Sequence, residues 1–173
     1  QGGPLSVVLS NVYLDKLDKE LEQRGLRFTR YADDTIVFTK SEMAANRVMK
    51  SITGWIERKL FLKVNTTKTK VVRPTRSKYL GFTFLKHGGE WKVKPTTEKK
   101  KKLKQKLSEY LKRNKATARP LAVTIKRLNE IVRGWINYFR IGMMKQFMEE
   151  FGAWLRHKIR VIVLKQWKIP KTI

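Results

Sequence analysis

Strand-like alternation in this sequence stops at Lys94-Pro95, and from there on apolar residues recur at helical spacing. A chain patterned this way puts its sheets in the first part and its helices in the second. That predicts an α+β protein divided at about residue 95, into segments 1–94 and 95–173.

Within the first segment the most informative run is Phe28-Thr29-Arg30-Tyr31-Ala32-Asp33-Asp34-Thr35-Ile36-Val37-Phe38. Strand formers flank the two acids, so the pattern predicts a hairpin with Asp33 and Asp34 at its tip. Asp is an ordinary turn residue, and an Asp-Asp turn taken alone is turn chemistry. Adjacent carboxylates nevertheless repel unless a cation lies between them, and hard oxygen donors suit Mg²⁺.

Before this hairpin, Gln1-Gly2-Gly3-Pro4-Leu5-Ser6 reads as a loop feeding a helix. Its apolar series is Leu9, Val12, Tyr13, Leu17 and Leu21, and Gly25 provides a left-handed stop. After the hairpin, Ser41 is a helix cap, and Ala45, Val48, Met49, Ile52, Trp55 and Ile56 form a core-facing stripe, with Trp55 as packing. Leu60–Asn65 and Val71-Val72 read as two short strands about a polar turn at residues 66–69. Tyr79–Leu85 and Trp91–Val93 read as a second hairpin, turning at His87-Gly88-Gly89-Glu90.

In the second segment the acids thin to Glu98, Glu109, Glu130, Glu149 and Glu150. The whole chain carries 40 basic against 14 acidic residues, a formal charge of +26 that a compact fold must hold against its own repulsion. A polyanionic partner relieves that repulsion, and nucleic acid is the leading candidate. A membrane-spanning role is excluded because no apolar run is long enough. The lack of Cys excludes disulfides and thiolate zinc sites and fits a reducing interior. His87 and His157 are too far apart in sequence to suggest a metal pair and are read as surface residues.

Three helices are expected after residue 95. The first starts near Thr97, with Leu103, Leu107, Tyr110 and Leu111 on one face and a run of lysines on the other. The second opens at Pro120 and runs to Gly142. The third carries Phe147, Phe151, Trp154, Leu155 and Ile162 at core spacing, interleaved with Arg156, Lys158 and Arg160.

Four short signals follow one another in order: Gln1-Gly2-Gly3-Pro4-Leu5-Ser6, Tyr31-Ala32-Asp33-Asp34, Asn65-Thr66-Thr67-Lys68-Thr69 and Tyr79-Leu80-Gly81-Phe82. Together they resemble the second half of a reverse transcriptase palm, specifically that of group II intron proteins. Arg133-Gly134-Trp135-Ile136-Asn137-Tyr138-Phe139 and Trp167-Lys168 resemble the thumb or maturase region of the same family. Phe151-Gly152-Ala153-Trp154 departs from the acidic pattern usual in that region, and Leu164 stands where an aromatic is more familiar.

The resemblance implies a partial palm, an antiparallel sheet with helices, followed by a three-helix thumb or maturase bundle. It implies an RNA-directed DNA polymerase that uses two Mg²⁺ ions, with Asp33 as main metal ligand, Asp34 as its neighbour and Lys68 near the triphosphate. Gln1, Gly2, Tyr31 and Ala32 would line the nucleotide or template pocket, and Leu80 and Gly81 the primer end. Lys99, Lys100, Lys102, Lys106, Arg127, Arg133, Arg156 and Arg160 would contact nucleic acid. The implied partners are group II intron RNA, an RNA template with a DNA primer, and deoxynucleoside triphosphates. The implied setting is the bacterial cytoplasm or an organelle.

Family members carry a further metal-binding Asp upstream of the Gln-Gly motif, and the chain begins at Gln1 without a Met. It is therefore expected to be a piece of a longer protein, lacking the fingers and first palm segment and inactive alone. The alternative reading is a non-catalytic, RNA-binding splicing cofactor that grips intron RNA through its basic helices.

Overall fold

The computed structural model describes residues 3–167. Gln1, Gly2 and Lys168, which the sequence motifs include, lie outside the described residues. Two compact units result, Gln1–Arg73 and Pro74–Ile173.

The first unit opens with helix α1, Pro4–Gln23, which has proline in its first turn, where an amide N–H would go unused. It ends in a Schellman motif. Leu26 N–H donates to Leu21 O at 3.0 Å and Gly25 N–H to Glu22 O at 2.8 Å, with Gly25 in the left-handed region at φ 66°. Strands β1, Arg27–Tyr31, and β2, Asp34–Phe38, form the expected antiparallel hairpin, with Phe28 opposite Val37 and Tyr31 opposite Asp34. Helix α2, Glu42–Trp55, is capped by Ser41, whose hydroxyl accepts from Ala44 N–H at 3.2 Å. It widens into a π-helical turn, Ile56–Leu60, and stops where Phe61 takes φ 53°.

Leu17, Leu21, Ile52 and Leu60 make this unit's core, with Leu14, Leu26, Phe28, Val37, Val48, Trp55 and Ile56 packed around them. Trp55 is packing, as the stripe predicts. The apolar series of α1 is buried only in its second half, for Leu9 and Val12 are 58% and 68% exposed. A five-residue strand spans about 17 Å, or about eleven residues of helix, so β1 reaches back along α1 no further than about its middle.

The two strands expected at Leu60–Asn65 and Val71-Val72 do not form. Asn65 draws the chain into a turn instead, its side-chain oxygen accepting from Thr67 N–H at 3.2 Å and Lys68 N–H at 3.1 Å. An isolated extended segment also needs a neighbour for its backbone groups, and the sheets among the described residues are two separate hairpins.

The second unit begins with a 3₁₀ turn, Pro74–Arg76, and a second hairpin of β3, Phe82–His87, and β4, Glu90–Pro95. Gly88 and Gly89 close it at φ 59° and 83°, the left-handed pair that a two-residue I′ turn requires. Helices α3, Thr97–Tyr110, α5, Leu121–Phe139, and α6, Lys145–Trp167, supply the expected apolar faces. A short helix α4, Arg113–Thr117, is additional. It has one buried residue, Ala116, and so leaves no periodic stripe in the sequence.

The core of this unit joins Leu103, Leu107, Leu111, Ala116, Leu128, Phe147, Phe151 and Ile162. An aromatic row runs through it, Trp135 to Phe147 at 5.4 Å, Phe147 to Phe151 at 5.5 Å and Phe151 to Trp154 at 5.7 Å between centroids. The second hairpin is bonded to this helical unit, with Met143 N–H donating to Val93 O at 2.8 Å. The change of sequence pattern near residue 95 and the break in compactness at Arg73–Pro74 therefore mark different properties, element type and packing.

Candidate active site

Pairing of Tyr31 with Asp34 leaves Ala32 and Asp33 as a two-residue loop, and Ala32 adopts φ 52°. A left-handed Ala costs about 1–2 kcal/mol relative to the ordinary regions, so the tip is held in a shape it does not prefer. Tyr31, Asp33 and Asp34 are all exposed, with Asp34 on the ribbon face opposite Phe28 and Val37. The structure thus brings Tyr31, Ala32, Asp33 and Asp34 together at the open end of a strand pair.

A residue that sequence reasoning missed holds this tip in place. Arg30 is on the inner face of β1, and its side chain is only 10% exposed. Its Nε and Nη2 donate to the two carboxylate oxygens of Asp18 in α1 at 2.8 and 2.5 Å. Its Nη1 donates to Asn11 Oδ1 at 2.9 Å and to the carbonyl of Ala32 at 2.8 Å. One guanidinium therefore ties the strained turn to two positions on a helix. The signal was in the alternation, since a residue two away from Phe28 shares its inward face and a charge there needs a partner.

Lys68 is exposed on the turn led by Asn65, where Thr69 N–H also donates to Asn65 O at 2.9 Å. Leu80 and Gly81 form a second tight turn in the other unit, closed by reciprocal Tyr79 and Phe82 backbone bonds of 2.9 and 2.8 Å.

The basic residues divide by environment. Lys99, Lys102, Lys106, Arg133, Arg156 and Arg160 are exposed, and Arg127 is exposed but paired with Glu130 at 2.7 Å. Lys100 is half-buried, with its ammonium 5.0 Å from the centre of the Phe147 ring, and Lys104 is 5.9 Å from the same ring. Burial lowers the Lys100 pKa and Lys94 repels its charge, while Glu150 opposes both. Lys100 is therefore packed toward α6, unlike its neighbours Lys101 and Lys102. Glu98, at the start of α3, is held below the usual carboxylate range by a hydrogen bond and charge from Lys78. No helix among the described residues is long and apolar enough to cross a membrane.

Two family models match the chain, one over the part with the acidic turn and one over the basic helices. The model of the reverse transcriptase, the RNA-dependent DNA polymerase, matches residues 1–84. That of the maturase-specific domain of group II introns matches residues 100–172. The chain belongs to the group II intron-encoded reverse transcriptase/maturases. No curated protein matches it.

Proposed function

We propose that this chain forms the part of an RNA-directed DNA polymerase palm that carries the acidic turn, together with the thumb or maturase helices that grip template, primer and intron RNA. The observation that carries the reading is the exposed pair Asp33 and Asp34 at a left-handed turn fixed by a half-buried arginine. Strained, over-determined turns cluster at functional sites, and these acids are hard oxygen donors open to solvent.

Asp33 and Asp34 suit Mg²⁺ in kind and supply part of a site. Among the described residues no group of three or more acidic or imidazole side chains could hold a metal. Chemistry with two metals calls for further carboxylates, so the chain is proposed to need a further segment for polymerisation. When bound, Mg²⁺ activates the primer hydroxyl and balances charge on the phosphates. Asp33 would be the main ligand and Asp34 its neighbour. Lys68 would face the triphosphate, where an ammonium can balance charge on the leaving pyrophosphate. The exposed lysines of α3 and arginines of α5 and α6 would lie along an A-form-like duplex and structured RNA.

The test replaces Asp33 and Asp34 with Ala in the full-length protein that carries this chain. DNA synthesis is expected to disappear while RNA binding and assisted splicing persist. Surviving primer extension would refute the metal assignment, and loss of RNA binding along with synthesis would point to a structural role for the acids.

A further inference from the structure

The turn at Leu80-Gly81 is built from two left-handed residues, φ 50° and 83°. Glycine accepts that conformation freely, but leucine does not, so Leu80 requires support from outside its own hairpin. The Leu80 carbonyl receives it from α5, while the Gly81 carbonyl is held by the continuation of the β3–β4 pairing. Tyr138 Oη in α5 donates to Leu80 O at 3.0 Å, and Thr96 N–H, just before α3, donates to Gly81 O at 2.9 Å.

The residue after the turn is anchored as well. The Phe82 ring stacks on Tyr138 at 5.9 Å, with 20° between planes, and tilts against Phe139 at 5.0 Å. Gly81 packs so closely that a Cβ there would lie 3.0 Å from Lys99 Cε and 3.3 Å from Phe139 Cζ. Tyr138 is itself half exposed, so its hydroxyl bond is not a demand of core packing.

We infer that Tyr138 and Phe139 are positioning residues for the Leu80-Gly81 turn, so that the C-terminal end of α5 sets where the primer strand is held. The inference rests on the polymerase reading and on the primer contact that the family resemblance implies for Leu80 and Gly81. It places one determinant of primer affinity in α5, more than fifty residues downstream of the turn that would touch the primer. A displacement of α5 is then transmitted to the turn through one hydroxyl and two rings.

The experiment uses Tyr138→Phe, which keeps the ring stack and removes only the hydroxyl, and Gly81→Ala, which introduces the crowding. Amide hydrogen exchange across residues 79–84 and 93–97 is read in this chain. Affinity for an RNA template with a DNA primer, and kcat at saturating primer, are read in the full-length protein with Asp33→Ala as the inactive control. Tyr138→Phe is expected to speed exchange of the Phe82 and Thr96 amides about five- to tenfold, the loss of one hydrogen bond. It is expected to raise the primer KM by a similar factor and leave kcat at saturation unchanged.

Unchanged exchange in Tyr138→Phe overturns the clamp, whatever Gly81→Ala does to folding. Faster exchange with unchanged primer KM overturns the coupling to the primer. Undiminished synthesis in the Asp33→Ala control is a separate result, which removes the polymerase reading and leaves the exchange measurement standing.

Discussion

Replacing Arg30 with Met tests whether the acidic turn is held by α1 or by its own hairpin. The side chain donates to both oxygens of the Asp18 carboxylate, to Asn11 and to the Ala32 carbonyl. Methionine keeps most of the apolar stem and removes all of these hydrogen bonds. Truncating one partner of a buried ion pair costs about 3–5 kcal/mol, largely because the remaining charge is stranded. Asp18 retains 24% exposure, so water recovers part of that loss, and about 2–3 kcal/mol is the expected effect. At 1.4 kcal/mol per decade this is about a 30- to 150-fold increase in local opening. Hydrogen exchange followed by mass spectrometry reads it directly in peptides covering residues 27–38. Peptides from α5 and α6, in the other compact unit, serve as the internal reference. Asp18→Asn should reproduce much of the effect, and the double variant should fall well short of the sum, since both break one interaction. Unaltered exchange at residues 27–38 in Arg30→Met would refute the argument, as would a hairpin already exchanging at coil rates in the parent chain.

Further outcomes concern the helical unit. Phe151 is 1% exposed at the centre of the aromatic row, so Phe151→Ala should cost about 3–5 kcal/mol, checked by urea unfolding. Lys100 has a lowered pKa because folding disfavours its charged form, so its charge costs stability below the folded pKa. That cost disappears as pH rises toward the ordinary lysine value of 10.5. Lys100→Met should therefore melt above the parent at neutral pH, with the difference narrowing in alkaline buffer. An increment that stays constant with pH would contradict the burial argument. RNA affinity should fall steeply with added salt, because a chain with 40 basic against 14 acidic residues binds phosphates by releasing counterions. A flat titration would argue against a phosphate-dominated interface.

Local rules read from the residues account for much of what the structure contains. Gly25 ends α1 because only a left-handed residue completes that motif, and Ser41 starts α2 because its hydroxyl satisfies a free amide. Gly88-Gly89 forces a two-residue turn, and strand formers on both sides of Asp33 and Asp34 bring those acids to a hairpin tip. The strands expected near Leu60 and Val71 failed for a different reason. A strand exists only with a neighbour, and nothing in a local window says whether one is present.

What the sequence by itself determined is therefore the order and type of most elements, the turns, and the acidic tip, since each follows from interactions within a few residues. Tertiary structure alone decided that Arg30 reaches twelve residues back to Asp18, that Tyr138 reaches Leu80 across 58 residues, and that Lys100 turns toward Phe147 while Lys102 remains exposed. Those contacts depend on which faces of distant elements meet. Burial then makes each partner matter, because a charge or a strained carbonyl removed from water must be satisfied by whatever the fold brings beside it.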